Sequence, residues 1–359
     1  MRVGIVTFHC SYNFGSALQA FALRKVLVKL GHEASVVDYR SKNYFDNYRI
    51  INPDHIRGTL RALKHLGRYQ KRKEAFELFA RETMCLTDKT YTYKDESALE
   101  ELQGEFDCFV CGSDQIWNLD ATHGVIGPFF LSFAGDARRV AYAPSLAHTS
   151  FKSEYFDKSE VAELLAKFDA ISVREEETVG LFQPLVKKEI KVALDPTMLL
   201  DTAEYADMLP RASYDEPYVF IYLLRSCPEL VESAVALTRH KNIRVLYVSD
   251  NDLPIPNSEN LLGIGPDQFV SLVAHAEAVL TNSFHATVFS LKFHRPFRVF
   301  ATDMSASRMR DLLEELKIAD CLSNKIDARP LKEPDWDDID KRIASLCKES
   351  LSFLGEALT

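Results

Sequence analysis

The sequence has no apolar run long enough to cross a bilayer, since each run ends well before the roughly 20 residues that a transmembrane helix needs. The N-terminal stretch, MRVGIVTFHCSYNFGSALQ, has one early arginine and an apolar run too short for a signal peptide. These absences predict a soluble, cytoplasmic protein.

Cysteine is sparse, with seven residues scattered from Cys10 to Cys347. Their odd number and wide spacing argue against a disulfide framework and fit a reducing compartment. Cys108 and Cys111 have C-x-x-C spacing, but they lie in FDCFVCG, a predicted buried strand, and no second pair follows. We interpret both as core thiols. No cluster of His, Asp and Cys at ligand spacing occurs in the sequence, so no metal site is predicted.

Positive charge is also in deficit, because 43 Lys and Arg stand against 52 Asp and Glu, a net charge of −9. This argues against a general nucleic-acid binder, which needs clustered Lys and Arg. One segment departs from the trend. Residues 57–73, RGTLRALKHLGRYQKRK, are basic, with apolar residues at helical spacing. They form either a solvated helix face or a peripheral contact with the anionic inner face of the membrane.

What the sequence does contain is an alternation of strand and helix patterns, with 47% hydrophobic residues over 359 positions, enough for two cores. RVGIVTF, ALQAFALRKVLVKLGH and EASVVDY begin a βαβ unit, and FDCFVCG, RRVAYAPS, FDAISVR and IKVALDP continue it as strands. A linker around Pro210 and Pro217 precedes a second series, which runs from YVFIYLL through EAVLTNS and HATVFSLKFH to PFRVFA.

This alternation predicts an α/β protein of two doubly wound, Rossmann-like domains that face a cleft. The expected ranges are 1–205 for the first domain, 206–334 for the second, and 335–359 for a C-terminal helix that crosses back to the first. Open α/β sheets bind ligands at the carboxyl ends of their strands. Polar side chains that follow strands are therefore the candidate site residues.

His285 is the leading candidate for chemistry. It follows VLTNS at a strand-to-helix turn, where the backbone N–H groups of the helix would form an anion site beside a proton donor. Asn282 and Ser283 add hydrogen-bonding groups at the same strand end. The alternative is a histidine that caps its own helix or is satisfied in the core.

The loop SYNFGSALQ follows the first strand and is the matching candidate of the first domain. Asn13 tolerates a turn conformation, Gly15 permits close backbone approach, and Ser16 is expected to cap a helix that starts at Ala17. Such a loop could hold a phosphate or sugar hydroxyls. It lacks G-x-G-x-x-G and a Walker lysine, which argues against a dinucleotide or ATP site.

The loop CGSDQIWN follows another strand and places Ser113, Asp114, Gln115, Trp117 and Asn118 together. Polar side chains around an exposed tryptophan suit carbohydrate, because hydroxyls need paired donors and acceptors while the C–H face rests on an aromatic ring. The alternative is a turn in which the tryptophan is buried.

Two arginines are candidates for an anionic ligand. Arg174 ends the strand in ISVREEETVGLF and could clamp a phosphate or carboxylate, unless it forms an ion pair with Glu175 or Asp195. Arg308 opens the helix in SASRMRDLLEEL.

Five stretches, YNFGS, GSDQIWN, SVREEET, ALDPTMLL and LTNSFHATVFSLKF, resemble in this order the polysaccharide pyruvyl transferase family, from about Met1 to Phe300. The resemblance implies a fold like that of the glycosyltransferase B class. It also implies transfer of a pyruvyl group from phosphoenolpyruvate to sugar hydroxyls, which gives a pyruvate ketal and phosphate during synthesis of capsule, exopolysaccharide or cell-wall polymers. Phosphoenolpyruvate is then a co-substrate, and no cofactor or metal is expected.

The resemblance also assigns roles. His285 matches the histidine that protonates the methylene carbon of phosphoenolpyruvate in the family. Ser283 occupies a position where many members have arginine, so the charge for the donor is expected from Arg174 or Arg308, beside Asn282. The loops of the first domain would hold the acceptor, a sugar or a lipid-linked oligosaccharide, through Asn13, Gly15, Ser16, Ser113, Asp114, Gln115, Trp117 and Asn118.

Two other functions remain open at this point. One is a glycosyltransferase or epimerase of the same fold that uses a nucleotide sugar, with His285 contacting the diphosphate. The other is a sugar-binding protein without catalytic activity.

Overall fold

The computed structural model describes most of the chain as two compact α/β units. The described residues are 1–47, 65–147, 155–209, 214, 216–239, 243–300 and 306–359, except for the side chains at 47 and 306–308. The first unit comprises Met1–Gly67, Phe76–Leu200 and Leu346–Thr359, and the second comprises Arg68–Ala75 and Asp201–Ser345.

The first unit is built on a six-stranded parallel sheet and a small parallel pair of strands. The strands are β1 (Arg2–Val6), β2 (Glu33–Val36), β3 (Tyr39–Arg40), β4 (Tyr91–Thr92), β5 (Cys108–Cys111), β6 (Arg138–Ala141), β7 (Ala170–Val173) and β8 (Ile190–Val192). The sheet order is β2-β1-β5-β6-β7-β8, and β3 pairs with β4. β5, with the sequence CFVC, is buried along its whole length, as expected for a strand covered on both faces.

The helices of this unit are α1 (Phe14–Lys29), α2 (Lys42–Asn47), α3 (Leu66–Thr83), α4 (Leu119–Thr122), α5 (Lys158–Ala166), α6 (Glu176–Phe182) and α7 (Pro196–Leu199), with 3-10 turns at Glu96–Leu102, Gly127–Phe130 and Gln183–Leu185. Within α3, the residues Arg68–Ala75 group with the second unit. α1 is buried on most of its surface, which explains why apolar residues occupy the majority of its positions as far as Leu27.

The second unit repeats the architecture. Its strands are β9 (Tyr218–Tyr222), β10 (Arg244–Val248), β11 (Ser258–Asn260), β12 (Ala278–Thr281), β13 (Phe297–Phe300) and β14 (Leu322–Ser323), in the parallel order β11-β10-β9-β12-β13-β14. Its helices are α8 (Thr202–Ala206), α9 (Pro228–Thr238), α10 (Pro266–Ala274), α11 (Phe284–Lys292) and α12 (Ala306–Glu315), with a 3-10 turn at Ala319–Cys321. The last helix, α13 (Trp336–Ala357), belongs to the second unit as far as Ser345.

Each sheet has one point at which the strand order reverses. In the first unit the chain goes from β1 to β2 on one side and later to β5 on the other. In the second unit it goes from β9 to β10 on one side and later to β12 on the other. Ligands of open α/β sheets bind beside such points, at the carboxyl ends of the strands. The loops after β1, β5, β9 and β12 are therefore the places to look for a site.

The prediction that Cys108 and Cys111 are core thiols is confirmed, because both are fully buried in β5. All seven cysteines lie in the described residues, and none of them is in a disulfide bond. Burial raises the pKa of the Cys108 thiol to about 12, so it stays protonated at neutral pH. No group of three or more His, Cys, Asp and Glu within the described residues could hold a metal ion.

The basic segment is described only in part, because residues 57–64 lie outside the described residues. The remainder opens α3, where Arg68 and Arg72 form ion pairs with Asp252 and Asp250, with N–O distances of 3.1 and 3.5 Å. Acidic side chains thus compensate part of the positive charge. Across the described ranges, no helix is both long and apolar enough to span a membrane.

The end of α13 groups with the first unit. Arg138 Nε donates a hydrogen bond to Ala357 O over 2.6 Å, and Leu194 N donates to Ser350 Oγ over 3.0 Å. The first unit is therefore completed by residues that follow the whole second unit in the chain.

Candidate functional site

His285 lies in the first turn of α11, directly after the central strand β12 and beside the reversal point of the second sheet. Ser283 is the helix cap, since its Oγ accepts from Ala286 N over 3.4 Å, so the histidine does not cap its own helix. Its imidazole is buried, with 7% of the residue exposed, and its ring meets Phe284 edge to face at 5.3 Å. The expected strand-end position is confirmed, next to the positive end of the helix dipole.

The side chain of Asn282 hydrogen-bonds to the backbone of another loop. Its Oδ1 accepts from Leu224 N and its Nδ2 donates to Arg225 O, each over 2.9 Å, and only 3% of the residue is exposed. The amide ties the loop after β9 to the end of β12. Asn282 and Ser283 therefore hold the backbone at this strand end, and their contact with the donor stays a prediction.

The same hydrogen bond brings the backbone of an arginine that the sequence analysis did not select to this strand end. Arg225 is exposed in the loop after β9, and its backbone is held against the strand end that precedes His285. The stretch YVFIYLLRS contains the signal, because an arginine directly follows a buried strand. Arg225 follows β9 and His285 follows β12, which are the two strands on either side of the reversal point.

Arg174 forms an ion pair with Asp195, which the sequence analysis gave as the alternative to binding an anionic ligand. Its guanidinium Nη2 contacts the Asp195 carboxylate and the Ser113 hydroxyl, and the two charged side chains are 4% and 0% exposed. Asp195 Oδ1 also accepts from Thr197 N over 3.0 Å at the start of α7. The charge of Arg174 is thus neutralised in the core of the first unit, and the structure does not show the clamp expected for an anionic ligand.

Arg308 lies near the start of α12, and its side chain is outside the described residues. Its role therefore stays a prediction.

The expectation of an exposed tryptophan is wrong. Trp117 is fully buried, its Nε1 donates to Phe129 O over 3.0 Å, and its ring stacks on Phe130 at 5.0 Å and 7°. Asn118 caps α4 by accepting from Ala121 N, and donates to Gln115 Oε1 over 3.0 Å. Trp117, Asn118 and Gln115, which were predicted to bind the sugar acceptor, instead form part of the core and a turn. The indole is buried because aromatic rings distant in sequence surround it.

Ser16 and Asp114 do meet, across the reversal point between β1 and β5. α1 begins at Phe14 and not at Ala17, with Asn13 as its cap, since Asn13 Oδ1 accepts from the N–H groups of Gly15 and Ser16. The predicted cap, Ser16, instead donates its hydroxyl to the Asp114 carboxylate. Asp114 adopts the left-handed backbone region, with φ 70°. Polar groups from the first turn of α1 and from the loop after β5 therefore converge where this sheet type binds ligands.

A buried polar network beside this loop was not predicted. Asp38 Oδ1 lies 3.0 Å from His9 Nε2 and 3.0 Å from Arg40 Nε, while Asp38 Oδ2 accepts from Arg40 Nη2 and from Thr90 Oγ1. Burial alone would raise the pKa of Asp38, but the hydrogen bonds from His9 and Arg40 outweigh it and hold that pKa well below its usual range. The carboxylate is therefore ionised at neutral pH.

The network opens onto a cavity of about 420 Å³ inside the first unit, within the ordinary size range of ligand sites. Its lining residues come from the loops after β1 and β2, from β3, from α2, from α3 and from the segment after α3: His9, Cys10, Tyr12, Asp38, Arg40, Tyr44, Phe76, Glu77, Ala80, Arg81 and Leu86. The sequence signal was the alternation of Asp38 and Arg40 in VVDYR, just beyond a strand.

Comparison with solved structures gives matches over nearly the whole chain. A protein from Listeria monocytogenes assigned as a UDP-N-acetylglucosamine 2-epimerase aligns with a TM-score of 0.50 and 12% identity, over 99% of this chain and 90% of its own. A UDP-GlcNAc 2-epimerase from Methanocaldococcus jannaschii gives 0.48 and 10%, over 96% and 92%. The E. coli heptosyltransferase WaaC with ADP gives 0.43 and 12%, over 96% and 100%. The two parallel-sheet domains have the glycosyltransferase B type of fold.

The sequence model of the family described as polysaccharide pyruvyl transferase matches residues 13–304, which include His285 and the strands β9 and β12 on either side of the second reversal point. The chain therefore belongs to the polysaccharide pyruvyl transferase family. No curated protein gives a significant match.

Proposed function

We propose that the protein transfers the pyruvyl group of phosphoenolpyruvate to two hydroxyls of a sugar and forms a pyruvate ketal. The observation that carries the proposal is the position of His285, in the first helical turn after the central strand of the second sheet, in a chain of this family. The acceptor is a sugar or a lipid-linked oligosaccharide for capsule or exopolysaccharide, and we place the reaction in the cytoplasm.

The chemistry begins with a proton. His285 donates it to the methylene carbon of phosphoenolpyruvate, which creates a cationic centre at the carbon that bears the phosphate and the carboxylate. A sugar hydroxyl adds to that carbon and releases its proton to the histidine. The carbon–oxygen bond to phosphate then breaks, and a second hydroxyl adds, loses its proton to the phosphate and closes the ring. Each proton is accounted for, and no oxidant or metal takes part.

The donor brings close to three negative charges, so the site needs positive groups. The N-terminus of α11 supplies about 0.3–1 kcal/mol at an exposed position, which is too little alone. Arg225 supports the proposal, because its loop is tied to the strand end that precedes His285. We assign Arg225 as the main cation for the donor in place of Arg174, with Arg308 as a second one.

The test is an assay of phosphate release from phosphoenolpyruvate with a panel of sugars and lipid-linked oligosaccharides. We expect release that depends on an acceptor, and a product whose ketal is seen by mass spectrometry. Release of nucleotide diphosphate from a nucleotide sugar, with no phosphate from phosphoenolpyruvate, would favour a glycosyltransferase. Sugar binding with neither reaction would favour a binding protein.

A further inference from the structure

We propose that the cavity bounded by His9, Tyr12, Asp38, Arg40, Tyr44 and Phe76 binds one uncharged sugar ring. This inference rests on the proposed function, because it assigns the ring to the polysaccharide acceptor. The cavity adjoins the loop after β1, which leads into the first turn of α1 and to Ser16 at the reversal point of the first sheet. It is separate from the loop around Trp117, whose indole is buried in the hydrophobic core.

The polar side of the cavity is fixed in advance. His9 is buried, with one ring nitrogen on Asp38 and the other 3.2 Å from Thr7 O, so the imidazole cannot turn. Arg40 uses Nε and Nη2 on the Asp38 carboxylate, and its side chain is 28% exposed. Among the described residues Arg40 Nη1 makes no hydrogen bond. A guanidinium held in this way can donate from Nη1 to a hydroxyl oxygen at little entropic cost.

The other side is aromatic. Tyr12 lies edge to face on Tyr44 at 6.3 Å and on Phe76 at 5.9 Å, and the two tyrosine hydroxyls are 3.3 Å apart. The Arg40 guanidinium lies 5.5 Å from the centre of the Tyr44 ring. An aromatic wall with donors and acceptors along its edge suits a sugar, whose C–H face packs on rings while its hydroxyls need both kinds of partner.

Charge argues against a phosphate or nucleotide as the occupant. Asp38 is ionised, and Glu77 also lines the cavity, so acidic groups partly offset Arg40 and Arg81. Cys10 does not act as a nucleophile, because burial raises the pKa of its thiol to about 12. A neutral polyol fits this balance better than a dianion does.

The inference is tested by saturation-transfer NMR with the methyl glycosides of glucose, galactose, mannose, N-acetylglucosamine and N-acetylmannosamine, without phosphoenolpyruvate. We expect transfer to at least one glycoside, and a Kd raised about tenfold in Arg40→Gln and in Tyr44→Ala, the loss expected for one hydrogen bond or ring contact. Arg2→Gln is the matched control. It removes an exposed arginine that pairs with Asp107 at 2.7 Å, at the opposite end of β1.

Thermal melts show whether each variant folds, and Tyr44→Ala keeps the test valid if Arg40→Gln does not. If no glycoside binds the parent, or if folded variants bind as the parent does, the inference is overturned, even where phosphate release from phosphoenolpyruvate proceeds. If binding is lost in the variants while the parent releases no phosphate, the sugar site stands and the proposed function fails.

Discussion

Arg174 illustrates how one buried contact changes the meaning of a residue. Its guanidinium lies against the Asp195 carboxylate, and both side chains are almost fully buried. Removing one partner of such a pair leaves the other charge desolvated and uncompensated. We predict that Arg174→Ala lowers the free energy of unfolding by about 3–5 kcal/mol, measured by urea denaturation. Arg174→Met combined with Asp195→Leu should recover most of this loss, and a single variant as stable as the parent would contradict the assignment.

His285 should show the opposite behaviour. We predict that His285→Gln lowers acceptor-dependent phosphate release by about 10²–10⁴-fold, the usual contribution of a positioned general acid. Because Ser283 and not the histidine caps α11, the melting temperature should stay close to that of the parent. Calorimetry with phosphoenolpyruvate separates the steps, since binding should persist while turnover is lost. Full turnover in the variant would refute the acid role.

Asp38 gives a pH dependence with a definite sign. Its pKa is lowered in the folded protein, so its stabilising contribution is complete above the unfolded value of about 4 and is lost as the pH falls below that value. We predict that Asp38→Asn costs about 3 kcal/mol at pH 7 and progressively less below pH about 4, measured by urea midpoints. Asp136→Asn, at an exposed site, is the control. A difference in the free energy of unfolding between Asp38→Asn and the parent that stays constant with pH would contradict the prediction.

At the scale of the element, the loop after β9 depends on a side chain from another strand end. The backbone of Arg225 is held in place because Asn282 Nδ2 donates a hydrogen bond to its carbonyl oxygen. We predict that Arg225→Ala raises the Kd for phosphoenolpyruvate by about 10–100-fold, as for the loss of one hydrogen bond to a charged group, and leaves stability unchanged. Arg239→Ala is the control, since Arg239 is exposed at the far end of α9. Equal affinity in the two variants would remove Arg225 from the donor site.

The strands and helices were largely predictable, because buried parallel strands are short apolar runs and turn residues separate them. FDCFVCG and EAVLTNS became β5 and β12, and the position of His285 followed from the turn between β12 and α11. Side-chain environments were not predictable. The burial of Trp117 depends on Phe130, which lies beyond the next loop, and the His9–Asp38 contact forms only when two strand-end loops meet. Local periodicity contains no information on such partners.

At the scale of the whole molecule, residues 346–359 belong to the first unit, which also contains the start of the chain. We predict that truncation after Ser345 destabilises the first unit, because Arg138 and Leu194 lose the bonds to Ala357 and Ser350. Hydrogen exchange should rise in β6 and β8 and change little in β9 and β10. A chain that lacks only Thr359 is the control. Unchanged exchange in β6 and β8 would show that this contact adds no stability.

The same return of the chain sets an order of events during translation. The ribosome makes the strands of the first unit early, but residues 346–359 emerge only after the whole second unit has been synthesised. Until then, the backbone N–H of Leu194 and the guanidinium of Arg138 lack their later partners. The second unit, whose second segment is continuous from Asp201 to Ser345, has all its strands before that moment. In nascent chains of this protein, the first unit should therefore be the last to complete its folding.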